Sequence, residues 1–230
     1  MNLDFSILKT FGVDSVPFGM NILITGPPGV GKSVLCENLM VECLKKEINV
    51  VYVSLDTSPE DIRTRVLKQD IKTLKKIKKL TFIDGYSWLL NKICEKHYVS
   101  HLSNLSDLSI QLFYSLNKNS NDFQIIIFDS ISTLFLYNSE REIKRFIQVN
   151  TARIRGCQSI FFWTIEEGIH SQAFYNSLHH MIDGIIETRL VEDKDLKRFI
   201  RVHTFRGQFH KTNWFPFNIQ HNGKLTVVAQ

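Results

Sequence analysis

Residues 26 to 33 read Gly26-Pro27-Pro28-Gly29-Val30-Gly31-Lys32-Ser33, which matches the pattern G-x-x-x-x-G-K-S/T at every fixed position. The stretch Asn21 to Thr25 before it has the composition of a buried strand, and apolar residues recur at helical spacing from Leu35 to Leu44 after it. In such a strand, loop and helix, glycines let backbone N–H groups turn toward phosphate oxygens, and the helix N-terminus presents positive charge to the same anion. The segment therefore predicts a loop that binds the phosphates of a nucleotide.

The side chains of this phosphate loop have distinct predicted roles. The Lys32 ammonium should reach the β- and γ-phosphates, and the Ser33 hydroxyl should bind magnesium. The predicted ligands are ATP or ADP together with Mg²⁺. The predicted nucleotide-binding residues are Gly26, Pro28, Gly29, Val30, Gly31, Lys32, Ser33 and Val34.

Strand and helix patterns alternate along the chain, which is typical of a mostly parallel sheet with helices on both faces. The apolar runs Val50 to Leu55 and Phe123 to Phe128 suit the middle of such a sheet. From Gly184 onward the pattern changes to paired strands separated by turn residues, which predicts antiparallel β-hairpins at the C-terminal edge. We predict an α/β fold of the RecA-like phosphate-loop class.

Acidic residues follow several of the predicted strands. Asp129 ends the most apolar strand and is predicted to hold magnesium together with Ser33. Asp56 also follows a strand, so we expect it at the same sheet edge, where it would orient or deprotonate the attacking water. The alternative for Asp56 is a cap of the next helix. Glu166 and Glu167 are alternatives for contacting the γ-phosphate.

Composition limits the class of protein. The chain has 43% hydrophobic and 22% charged residues, which is typical of one folded globular core and predicts a single domain over residues 1–230. No apolar run approaches the roughly 18 residues of a membrane helix, and Met1 to Thr10 lacks the pattern of a secretion signal. We expect a cytoplasmic protein. The scattered cysteines predict reduced, buried thiols and no metal site; they are Cys36, Cys43, Cys94 and Cys157.

The net charge of +5 and the pI near 9.0 suit a nucleic-acid partner but do not require one. Much of the excess lies in one lysine-rich segment without interleaved aromatic residues, so a solvated helix end is favoured over a nucleic-acid site. Its lysines are Lys68, Lys72, Lys75, Lys76, Lys78 and Lys79.

Several segments, taken in order, resemble the KaiC branch of the RecA superfamily. They are the phosphate loop, the strand and helix from Val50 to Ile62, the strand that ends at Asp129, Ile182 to Ile186, and Arg206-Gly207-Gln208-Phe209-His210. The likeness runs from about Gly12 to Gly223 and implies an ATPase.

In proteins of that family, ATP lies between neighbouring subunits of a ring, and the R-G-x-x-H segment of one subunit approaches the γ-phosphate held by the next. The resemblance therefore implies a homo-oligomer, such as a hexamer, or pairing with a regulatory protein. It makes Arg206 an arginine finger in trans, a group that contributes about 10³ to 10⁵ in rate. The alternative is a surface arginine beside a turn glycine.

The sequence departs from the family at three places. Asp56 and Thr57 stand where two glutamates are common, Thr204 stands where a lysine precedes the finger arginine, and residues 11–19 shorten a glycine-rich stretch. These changes predict slow hydrolysis, or ATP binding used as a switch. Three alternatives stay open: a RecA/RadA-like DNA-binding ATPase, a non-hydrolysing ATP-binding scaffold, and the archaellum motor component of the same branch.

Overall fold

The computed structural model describes residues 2–70, 78–117, 123–193 and 195–228. The strands are β1 (Asn2–Leu3), β2 (Val16–Pro17), β3 (Asn21–Gly26), β4 (Asn49–Ser54), β5 (Leu80–Asp84), β6 (His97–Tyr98), β7 (Gln124–Asp129), β8 (Ser159–Glu166), β9 (Gly184–Glu192), β10 (Leu196–Phe205), β11 (Phe215–Ile219) and β12 (Leu225–Val227). The helices are α1 (Ser6–Lys9), α2 (Lys32–Lys45), α3 (Pro59–Gln69), α4 (Leu105–Asn117), α5 (Ile131–Leu134), α6 (Glu140–Arg155) and α7 (Gln172–Met181).

Strands β3 to β12 form one sheet in the order β12-β11-β10-β9-β3-β8-β7-β4-β5-β6. Neighbours from β9 to β6 in this order are parallel, whereas β9, β10, β11 and β12 pair antiparallel as successive hairpins. The predicted fold class is confirmed, including the hairpins at the C-terminal edge.

Helices cover both faces of this sheet. Ile22 and Ile24 of β3 lie in one core with residues of α2 and α3, and Leu23 lies in the other core with residues of α4, α6 and α7. The alternation follows from the two-residue period of a strand. The phosphate loop and α2 therefore lie on the opposite face of the sheet from α4 and α6.

Two helix starts are fixed by side-chain caps. The Ser58 hydroxyl accepts a hydrogen bond from the Asp61 N–H at the start of α3. Ser139 and Glu142 form a reciprocal capping box at the start of α6. Within the described ranges, no helix has both the length and the apolar character needed to cross a membrane.

The exposure of the cysteines differs from the sequence expectation. Cys36 and Cys43 are buried, but Cys94 is exposed and Cys157 is half-buried, so the expectation of buried thiols is wrong for these two. Both lie in connecting segments, where side chains commonly face solvent. The expectation for the lysine-rich segment cannot be followed throughout, because Lys72, Lys75 and Lys76 lie outside the described residues.

Candidate active site

The carboxyl ends of four neighbouring parallel strands bring most of the predicted site residues to one edge of the sheet. Gly26 at the end of β3 is in register with Glu166 of β8, and Ser54 at the end of β4 is in register with Asp129 of β7. Asp56 follows β4 by two residues. The phosphate loop and the three acids therefore face a common region, as in other open parallel sheets with ligands at strand ends.

Two glycines of the phosphate loop occupy positions that a side chain could not. A Cβ at Gly26 would overlap the Thr188 hydroxyl and lie 2.5 Å from the Thr188 carbonyl oxygen. Gly31 caps α2 with a φ of +109°, and a Cβ there would lie 2.6 Å from Cδ1 of Ile219. At these two positions the loop backbone packs closely against β9 and β11, and the lack of a side chain lets the backbone take the tight path that a cradle of amides around phosphate requires.

The Lys32 side chain folds back into the loop and is only 7% exposed. Its ammonium donates to the carbonyl oxygens of Gly26 at 3.0 Å and Pro27 at 2.9 Å. Burial lowers the pKa of Lys32, although Glu166 and Asp129 attract its charge. A cation held this way has no full counter-charge in hydrogen-bond contact, so an incoming phosphate anion would be a stronger partner.

The other predicted nucleotide-binding residues differ in burial. Val30 is fully buried in the core, Pro28 and Gly29 are exposed at the tip, and Val34 is half-buried in α2. Ser33 is exposed in the first turn of α2, where the helix dipole favours anions.

Asp129 is oriented by hydroxyls from the strands on both sides of β7. The Tyr52 hydroxyl donates to Oδ2 at 2.9 Å, and the Thr164 hydroxyl donates to Oδ1 at 2.7 Å. The sequence motifs do not point to Tyr52 or Thr164. The available signal is a hydroxyl-bearing side chain within each of two otherwise apolar strands.

Asp56 lies at the same edge and bonds to the segment after β7. The Thr133 hydroxyl donates to Oδ1, and the Ser130 hydroxyl donates to Oδ2 at 3.2 Å. Although the residue is exposed overall, partial loss of water around its carboxyl raises its pKa, and the charge of Asp129 adds to this shift. The α3 cap is Ser58, so the alternative reading of Asp56 as the helix cap is wrong.

The segment after β8 forms the remaining wall. The Glu166 N–H donates to the Ser132 hydroxyl at 2.9 Å, and the Glu167 N–H donates to the Gly26 carbonyl at 2.9 Å. His170 Nε2 lies 2.8 Å from the same Ser132 hydroxyl. Burial lowers the pKa of His170. Glu166 is half-buried and attracts Lys32, whereas Glu167 is exposed.

Arg206 is not at this edge. Its guanidinium donates to Asp183 Oδ1 at 3.2 Å and to the His180 carbonyl at 3.4 Å. Asp183 precedes β9, whose Gly184 is in register with Ile22 at the start of β3. Arg206 therefore lies at the amino edge of the sheet, opposite the phosphate loop of its own chain.

The donor set suits magnesium better than a metal caged by protein. Ser33 and Asp129 supply oxygen donors, and Mg²⁺ commonly takes one or two protein oxygens with phosphates and waters. No group of three or more His, Cys, Asp or Glu residues that could hold a metal occurs in the described part of the chain. The helical pair His179 and His180 has no third ligand there.

The sequence of this chain resembles those of known proteins. The model of the family described as "ATPase: KaiC" matches residues 6–230. A UPF0273 protein of Pyrococcus horikoshii is 26% identical over 88% of this chain and 83% of its own length. A UPF0273 protein of Methanocaldococcus jannaschii is 28% identical over 88% of this chain and 85% of its own length.

A solved structure shares the fold. The crystal structure of a KaiC-like protein from Pyrococcus horikoshii superposes with a TM-score of 0.76 and 19% sequence identity, covering 98% of this chain and 96% of the other. The fold of this chain is thus a known one.

Proposed function

Because the chain belongs to the KaiC ATPase family, we propose that it is a single-domain ATPase that binds ATP with Mg²⁺ and hydrolyses it slowly at a site shared between neighbouring copies. The observation that carries the proposal is the buried Lys32 ammonium, held by two loop carbonyls beside Asp129, Asp56 and Glu166. A buried cation next to exposed backbone amides is suited to a polyphosphate.

In this proposal the phosphate loop binds the phosphates of ATP, and residues at the strand ends position Mg²⁺ and the attacking water. The ammonium of Lys32 exchanges its carbonyl partners for the β- and γ-phosphate oxygens, because a charged acceptor gives the stronger hydrogen bond. Ser33 and Asp129 would hold Mg²⁺, which bridges phosphate oxygens and neutralises the charge that develops during transfer. Tyr52 and Thr164 keep the Asp129 carboxylate in place.

Asp56 is the proposed group that orients the attacking water. Its raised pKa brings the carboxylate closer to the pH at which a general base works well. Its side chain is one carbon shorter than glutamate, so it reaches less far toward the γ-phosphate. Slow turnover follows from that shorter reach.

Arg206 can only act on another copy, because it lies at the edge opposite its own phosphate loop. We propose that it contacts the γ-phosphate held by a neighbour in a homo-oligomeric ring. A regulatory protein could complete the site instead.

One observation favours a second candidate, an ATP-binding scaffold without hydrolysis. Both Asp56 oxygens already accept hydrogen bonds, from Thr133 and Ser130, so the carboxylate is partly occupied before water arrives.

The test measures ATP binding by calorimetry and phosphate release on the same material, with and without Mg²⁺, over a dilution series. We expect Mg²⁺-dependent ATP uptake, release that falls per chain on dilution, and loss of both in Lys32→Ala. Lys45→Ala, at the other end of α2, is the matched control and should behave like wild type. Absence of ATP uptake rules the proposal out, and uptake with equal background release in wild type and Lys32→Ala selects the scaffold.

A further inference from the structure

Helix α4 carries apolar side chains on two faces. Leu108 and Leu112 point into the core and are buried. Ile110, Phe113 and Tyr114 follow i, i+3, i+4 spacing on another face and are 49%, 50% and 62% exposed. Three adjacent large apolar groups left in water on one helix are the usual mark of an interaction surface.

A groove of about 540 Å³ lies between α4 and α6, and Ile110 is the residue of this face that lines it. We call it the α4–α6 groove and define it by six of its lining residues: Leu105, Ile110, Arg145, Phe146, Val149 and Arg153. Asn150 of α6 donates a 3.1 Å hydrogen bond to the Ser109 hydroxyl of α4, which fixes the two helices relative to each other. The groove is therefore a built feature. We call its apolar residues, Leu105, Ile110, Phe146 and Val149, the floor; polar side chains also line the groove, namely Ser103, Asn104, Ser106, Ser109 and Asn138.

The rim of the groove is basic. Arg145 and Arg153 are exposed and lie about 12 Å apart along the axis of α6. Neither guanidinium forms an ion pair with any residue that the structure describes, and Arg153 instead lies 5.8 Å from the Phe113 ring centroid. The groove's own acid, Glu142, is occupied by the backbone and hydroxyl of Ser139.

We propose that the α4–α6 groove binds an amphipathic helix of a protein partner, one that places apolar side chains on the floor and carboxylates beside Arg145 and Arg153. A third helix packed between two others buries the exposed stripe of α4 by ordinary ridge-and-groove contacts. The two unpaired guanidiniums then gain carboxylate partners, which gives the contact its preference for acidic sequences.

Two other occupants fit less well. In a two-fold contact between copies, each copy would bring its own Arg145 and Arg153 to the same place, and the like charges would repel. Single-stranded nucleic acid binds by stacking bases on aromatic rings. Phe146 is the one aromatic residue among the six that define the groove, and it is only 4% exposed, so the floor offers a base little ring surface to stack on.

The groove is separate from the phosphate loop, which lies on the other face of the sheet. Variants on the groove should therefore leave ATP uptake unchanged, and this serves as the folding control for every one of them.

The test uses a fluorescein-labelled helical peptide of about 18 residues, with leucines at i, i+3, i+4 and i+7 and flanking glutamates. A second peptide carries lysine at each glutamate. Fluorescence anisotropy should show that the wild-type chain prefers the glutamate peptide by about tenfold or more. Ile110→Ser with Phe113→Ser should weaken both peptides.

Charge reversal sharpens the test. Arg145→Glu with Arg153→Glu should invert the preference toward the lysine peptide, whereas Lys92→Glu with Lys96→Glu, the same change of charge on another surface, should not. No binding of the glutamate peptide, no preference between the peptides, or equal loss in the control variant overturns the proposal.

Two parallel measurements address the other occupants. Binding of a labelled single-stranded oligonucleotide that is lost in Arg145→Glu with Arg153→Glu, together with no peptide binding, would assign the surface to nucleic acid. A change in sedimentation of the protein alone in Ile110→Ser with Phe113→Ser would assign it to contact between copies. Either result overturns the proposal.

Discussion

The Tyr52 hydroxyl donates a 2.9 Å hydrogen bond to Oδ2 of Asp129, from a fully buried residue of β4 to the half-buried end of β7. The core of the protein is thereby connected directly to the proposed magnesium ligand. A ligand oriented by such an outer partner loses metal affinity when the partner is removed, even though the ligand itself is intact.

Tyr52→Phe should raise the Mg²⁺ concentration needed for half-maximal ATP binding by about tenfold, because the Asp129 carboxylate then has only Thr164 to orient it. ATP binding without Mg²⁺ should not change. Calorimetric titration with Mg²⁺ at fixed ATP measures the effect, with Tyr98→Phe as the control on an exposed tyrosine. An unchanged Mg²⁺ requirement would show that Tyr52 is only a core residue.

Lys32→Met should make the nucleotide-free protein more stable, by about 1 kcal/mol, because a buried ammonium with no anionic partner in contact is replaced by an apolar chain of similar size. Burial lowers the pKa of Lys32 below its ordinary value of 10.5, so the unfolded chain holds this proton more tightly. The destabilisation caused by the charged Lys32 is fully present below the lowered pKa, and it disappears as pH rises toward 10.5. Urea unfolding of both proteins over an alkaline pH series checks this. A difference in unfolding free energy between the two proteins that grows with pH would contradict the description of Lys32 as a buried cation without an anionic partner in contact.

Asp56→Asn should reduce phosphate release by about 10²-fold or more while ATP binding persists, because the proposed base is lost. A carboxylate base is inactive once protonated, so the wild-type rate should fall as pH drops through the raised pKa of Asp56, above the ordinary value of 3.8. Steady-state rates across acidic pH measure this. Glu166→Gln and Glu167→Gln are the comparison variants: if either abolishes the acid limb and Asp56→Asn does not, the base is misassigned.

Mixing two inactive variants tests the shared site. Each variant removes a residue from one half of the shared site: Lys32→Ala alters the phosphate loop, and Arg206→Ala removes the arginine that the neighbour supplies. Random mixing of the two variants in one oligomer should restore about a quarter of the sites, because only those combine an intact loop with an intact arginine. Phosphate release from an equimolar mixture, exchanged in dilute conditions, gives the measurement. Mixed Lys32→Ala and Asp129→Asn should stay inactive, because both residues belong to the same half. Activity of Arg206→Ala alone would remove the arginine from the mechanism.

The sequence was most informative where a local pattern carries the structure. The phosphate loop and the strand that ends at Asp129 each depend on neighbours along the chain, and each is found where the pattern predicts it. Parallel strands then bring their carboxyl ends together without further information.

What the sequence did not provide depends on register between distant strands. Tyr52 reaches Asp129 only because β4 lies beside β7, and Thr164 does so only because β8 lies on the other side. Likewise, nothing near Arg206 in the chain indicates that Asp183 holds its guanidinium at the far edge of the sheet. Such partners follow from strand order, and strand order is not written in any one segment.

Arg206 and the phosphate loop lie at opposite edges of the sheet, so the two ends of the molecule would have different roles in an assembly. Copies that supply Arg206 to one another must then associate head to tail. A linear oligomer of this kind always has one terminal phosphate loop without a neighbour's Arg206. Only a closed ring gives every phosphate loop an Arg206 from a neighbouring copy. Closure of the assembly would therefore act as a switch in its own right, completing the last catalytic centre without any change inside a chain.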